Sequence, residues 1–237
     1  MKANLTLQPF YLFLFSVAFI LFTIVGTLTH EYGHIAVAKT LGYETTLHYG
    51  SMNWDRSEIY KELNSIYTEN QNEIENGLPF QEKEDFEKRI KKLKRDNLYV
   101  ILGGPIQTML TGILGLMLLY FRNEKIKRNG LQLFDWFAVF LSLFWLREVF
   151  NLVMSVSKGL MGGNYFGGDE AKISRLLEFP VGAVPILLGF LGLIVSLFVV
   201  FKVVSKEIRF TFIIGGLIGG ISGFILWLRI LGPIILP

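Results

Sequence analysis

Five stretches of this chain are long and apolar enough to cross a bilayer, which limits what it can fold into. They run from about 9 to 38, 98 to 121, 133 to 157, 180 to 202 and 210 to 232. A hydrocarbon core about 30 Å thick takes roughly 20 apolar residues as a helix. No water lies there to satisfy backbone N–H and C=O groups, so each run has to be helical. Hydrophobic residues make up 51% of the chain and charged residues 18%, a balance too apolar for one soluble domain. The expected fold is an all-α polytopic membrane protein with about five transmembrane helices, surrounded by lipid. The first run exceeds the apolar core of a signal peptide, and cleavage near Ala36-Val37-Ala38 would discard a cluster of ionisable residues. It is therefore expected to stay.

Residues 39–97 are the one sizeable extramembrane segment. LGYETTLHYGSMNW, bounded by turn-forming residues, predicts a short strand or hairpin after the first span. Ile59, Leu63 and Ile66 recur at helical spacing, and so do Phe86, Ile90 and Leu93. The second of these helices is acidic at its start and basic at its end, which suits its macrodipole, and it should feed the second span. GGLIGGISG, within the fifth span, spaces small residues for close helix packing. A net charge of +3 gives no footprint for nucleic acid, and the absence of cysteine excludes thiolate metal sites and thiol nucleophiles.

The ionisable cluster lies in GTLTHEYGHIAVAKT, at the end of the first span. His30 and His34, two of the three histidines, are one helical turn apart and share a face. So placed, two imidazoles can hold one Zn²⁺, and Glu31 beside them can take a proton from water that the metal acidifies. A zinc site needs a third protein ligand. Both histidines sit at the far end of span one, so the loop 158–179 falls on the same membrane face. Asp169, behind Gly167 and Gly168, is the expected third ligand there. The same residue would also serve as the N-cap of a short helix, and Glu170, Glu148 and His48 are rival ligands. An internal ion pair with Arg147 accounts for Glu148 at least as well. Gly103, Gly104 and Pro105 should start or bend the second span, and Gln107 offers an amide to substrate backbone or a transition-state oxygen.

With these residues the chain resembles the site-two protease family of intramembrane zinc metalloproteases. That family's two histidines and glutamate on a transmembrane helix match His30, Glu31 and His34. Its Gly-Pro-x-x-Asn segment is similar to Gly104, Pro105 and Gln107, with Gln in place of Asn. Its third ligand, an aspartate followed by glycine, has Asp169 as its nearest match, here preceded by glycine. The resemblance covers roughly residues 10–180. It implies a metalloprotease-like membrane core over residues 1–180 and two accessory transmembrane helices over 181–237. It also implies one zinc per chain, a transmembrane or membrane-associated protein substrate and a site open to the cytoplasm. His48, in the strand-like segment, would lie where an unwound peptide adds as a strand. Two alternatives remain open: a metal-binding membrane transporter or sensor, and an inactive homologue that binds membrane proteins.

Overall fold

The computed structural model describes residues 6–163 and 165–237. Among them, five helices are long and apolar enough to cross a membrane, as in a multi-pass membrane protein. The first is α1 (Pro9–Thr40). It leads into an antiparallel hairpin, β1 (Thr45–His48) and β2 (Ser51–Trp54), paired Thr45 with Trp54 through His48 with Ser51. The extramembrane segment continues with α2 (Ser57–Glu69) and the short α3 (Gln71–Glu75). Ile59 and Leu63 of α2 are buried, as their spacing predicts, while Ile66 is half-buried.

The helix expected over residues 83–97 and the second span form one element, α4 (Lys83–Asn129), of 47 residues and therefore about 70 Å long. Pro105 lies inside it, so the second span does not start at Gly103-Gly104-Pro105. A transmembrane helix tolerates proline where its neighbours compensate for the lost amide. The two glycines serve the crossing with α1 instead. A Cβ on Gly33 would run into the Gly103 carbonyl, and one on Gly103 into the Gly33 carbonyl. The two backbones therefore touch beside the histidines.

The third span comprises α5 (Leu133–Ser142), a 3₁₀ turn at Leu143–Trp145 and α6 (Leu146–Leu160). Asp135, fully buried near the opposite membrane face, closes a capping box with Gln132 and pairs with Arg122. The short α7 (Gly168–Leu176) follows, and Gly168 takes a left-handed φ of 79° that favours glycine. The last two spans are α8 (Ala183–Phe198), extended by a π turn to Val203, and α9 (Lys206–Ile225), continued by a π turn into α10 (Gly232–Ile235).

The small residues of the fifth span pack against the first. Gly215 faces Phe15, Gly219 faces Ser16 and Phe19, and Gly223 faces Ile20 and Thr23. A cluster containing Phe15, Phe19, Phe140 and Phe212 fills the half of the bundle remote from the histidines. The tip of the hairpin is tied down at the other end, where Trp227 Nε1 donates to the Tyr49 carbonyl at 2.6 Å.

Candidate metal centre

His30 and His34 are both buried, one turn apart on α1, and point at α4. His34 Nδ1 donates to the Val100 carbonyl at 2.7 Å. That carbonyl can only accept, so Nδ1 carries the proton and Nε2 presents a lone pair. His30 Nδ1 meets the Thr108 hydroxyl at 2.9 Å, which can accept in the same way. Both Nε2 atoms then converge on Asp169 Oδ2, 3.2 Å from each, with 3.2 Å between the two nitrogens. Three lone-pair atoms form an equilateral triangle. Ligands about 2.0–2.1 Å from a tetrahedral metal would be about 3.3 Å apart. The donor set and its spacing thus fit a divalent cation with one position left for water.

Asp169 reaches this point from α7. It is not the N-cap, which is Gly167, but stands in the first turn. Its other oxygen, Oδ1, takes a salt bridge from Lys172 at 3.2 Å, leaving Oδ2 for the imidazoles. Burial pushes the Asp169 carboxyl up, but its contacts with the two imidazoles and the Lys172 charge outweigh this and hold it well below the usual carboxylate range. It is an anion at neutral pH, as a metal ligand must be. Glu31 is also buried, and offers an oxygen within 4.8 Å of the histidine nitrogens. His30, Glu31 and His34 together could hold a metal ion.

The rivals lie elsewhere. Glu170 is buried and turned from the imidazoles; it accepts from Asn151 Nδ2 at 3.1 Å and meets Glu148. Among the described residues no ion pair joins Glu148 to Arg147, whose Nε has no hydrogen-bond partner. The expected internal pair is therefore replaced by a carboxyl–carboxyl contact. His48 stands apart: its Nδ1 meets the Pro237 carbonyl at 2.5 Å, and it lines a neighbouring cavity. Gln107 donates to Thr111 Oγ1 at 2.9 Å, leaving a buried Oε1 without a partner. The second Nε2 hydrogen is not used in this bond, so the amide keeps a donor as well as an acceptor.

Sequence reasoning missed Thr108 and Val100. Thr108, not Gln107, stands three residues after Pro105, where the Gly-Pro-x-x-Asn spacing puts its last residue, and it is the residue whose hydroxyl meets His30. Thr108→Val is expected to lower metal affinity about 10- to 100-fold, since outer partners of ligating histidines carry effects of that size. Competition with a fluorescent chelator would measure it, and unchanged affinity would remove Thr108 from the site.

Glu31, His34 and Asp169 open on a cleft of about 540 Å³. One wall is β2, with Ser51, Met52 and Trp54; another is α7, with Lys172 and Arg175. Outside the hairpin proper, Asp55 N–H donates to the Glu44 carbonyl, which fixes the parity of the ladder. In an antiparallel pair bonded and non-bonded residues alternate. Thr46 with Asn53 and His48 with Ser51 are therefore the bonded pairs, and the backbone groups of Met52 and Trp54 face the free edge.

No family model, curated protein or solved structure matches this chain.

Proposed function

We propose that this protein is an intramembrane zinc metalloendopeptidase, similar to the site-two proteases, that hydrolyses peptide bonds of membrane-associated proteins. The observation that carries the reading is the convergence of His30 Nε2, His34 Nε2 and Asp169 Oδ2, pairwise 3.2 Å apart, beside the buried carboxylate of Glu31. Zinc bound there supplies Lewis acidity, lowering the pKa of a water molecule and polarising the scissile carbonyl. Glu31 takes the proton from the attacking water and delivers it to the leaving amine. The Val100 carbonyl holds His34 in the ligating tautomer and the Thr108 hydroxyl can accept from His30 Nδ1 to do the same, so little rearrangement accompanies the chemistry. The cleft opens on the cytoplasmic side, as the resemblance implies.

A helical substrate hides its carbonyls in its own hydrogen bonds, so it has to unwind before attack. The free edge of β2 gives the unwound segment N–H and C=O partners in place of those it lost. Met52→Pro removes one outward N–H and none that the hairpin uses. It should slow cleavage about tenfold, with zinc content unchanged. Equal rates for the variant and the wild type would exclude strand addition at this edge.

The direct test is zinc per chain by elemental analysis of detergent-purified protein, with His34→Ala and Asp169→Ala alongside. The expectation is about one zinc in the wild type and little in either variant. Retention of zinc in Asp169→Ala alone would move the third ligand elsewhere. No zinc in the wild type after reconstitution would remove the protease reading and leave a membrane protein that binds partners.

A further inference from the structure

The cleft has more uncommitted positive charge than negative. Its acidic lining residues are Glu31 and Asp169, and Asp169 is already engaged by two imidazoles and Lys172. Its basic lining residues are Arg56, Lys172 and Arg175. Neither arginine has a carboxylate partner among the described residues. Arg175 gives one N–H to the Phe166 carbonyl at 3.2 Å. The Arg56 guanidinium lies 4.7 Å over the Trp54 ring and 5.5 Å from that of Tyr60. Stacking of this kind orients a guanidinium while its N–H edges stay available for a carboxylate. Arg56 also follows β2 directly, two residues after Trp54. A segment extended along the free edge at Met52 and Trp54 thus ends beside Arg56, with Lys172 and Arg175 on the facing helix.

We propose that the cleft selects a peptide segment with an acidic side chain close to the bond presented to Glu31, and that Arg56 and Arg175 receive that carboxylate. This rests on the proteolytic reading for what happens to the segment, but not for its binding. Ionic partners across a partly closed cleft discriminate by sign, because a like charge is repelled where an opposite one is held. A bound divalent cation would add to the same field. Peptide rather than lipid is the occupant because the cations share the cleft with an open strand edge, which offers amide partners that a headgroup cannot use.

Two experiments on the full-length protein in neutral detergent test this. First, a fluorescently labelled peptide bearing one Asp is titrated against the Glu31→Gln protein, beside its Asn and Lys counterparts. The Asp peptide should bind about tenfold tighter than the Asn peptide and about 100-fold tighter than the Lys peptide. In an Arg56→Glu, Arg175→Glu background with unchanged zinc content, the order should invert. Second, a synthetic peptide library is digested with the wild type and the products are read by mass spectrometry; acidic residues should be enriched within about three positions of the cut. Cleavage without that enrichment would overturn the proposal and leave the protease reading intact. Selective binding of the Asp peptide with no cleavage would do the reverse. Equal binding of all three peptides, with phosphatidylglycerol vesicles captured through Arg56 and Arg175, would make the cations a headgroup seat and overturn the proposal.

Discussion

Glu31→Gln is expected to keep about one zinc per chain and to lose peptide hydrolysis by about 10³-fold, within the range that general acid–base groups contribute. The substitution is nearly isosteric, and Glu31 is not one of the three atoms that meet at 3.2 Å. What it removes is a proton acceptor. Cleavage of a membrane-protein substrate and zinc content would be measured on the same preparation. Loss of both would make Glu31 a ligand rather than a base. Activity within tenfold of the wild type would put the base elsewhere. A transporter or sensor built on the same metal has no need of that acceptor, so function retained in this variant would favour those alternatives.

Gly104→Ala is expected to weaken zinc binding about 100-fold without replacing any of the three converging residues. A methyl at this position would lie 2.5 Å from His30 Nε2 and 2.6 Å from His34 Cε1, and would also collide with His34 Nε2. Neither ring can retreat, because Thr108 and Val100 hold their far nitrogens. Fitting the methyl therefore breaks the ligand triangle or displaces α4, at a cost typical of overpacking, about 1–3 kcal/mol. Gly220→Ala is the control, since nothing lies within 4 Å of a Cβ there. Calorimetric titration with zinc would compare the two. Equal affinities would mean that the α1–α4 crossing is looser than these contacts require.

The parts of the site that were legible in the sequence are those governed by local periodicity. Four residues on a helix make one turn, so His30 and His34 had to share a face. The five spans follow from apolar length, and the hairpin follows from turn-forming residues flanking a β-prone stretch. Asp169 became legible only through topology, which brought its loop to the same membrane face as the histidines. Arg147 and Glu148 misled because they are adjacent. Neighbours on a helix point about 100° apart, so sequence contact does not become side-chain contact. Glu148 instead meets Glu170, across a loop that no periodicity describes. Gly103 and Gly104 were noticed for what they permit in a backbone. Their use depends on Gly33, some 70 residues away, and on imidazoles that leave no room for a Cβ. The Val100 carbonyl gave no local signal, because orienting an imidazole takes only one oxygen at the right distance, and Thr108 was marked only by its spacing from Pro105.

The span of chain between the ligands has a consequence for how the protein is made. His34 and Asp169 are separated by 135 positions. At about 5–20 residues per second, the ribosome adds the aspartate roughly 7–27 s after the histidine. Throughout that interval the first span can already lie in the bilayer with both imidazoles and Glu31 in place. Only two of the three atoms of the triangle then exist, and α7, which forms one wall of the cleft, has not been synthesised. On the proteolytic reading proposed above, the growing chain therefore passes its insertion machinery, itself made of membrane proteins, before its own cutting site is assembled.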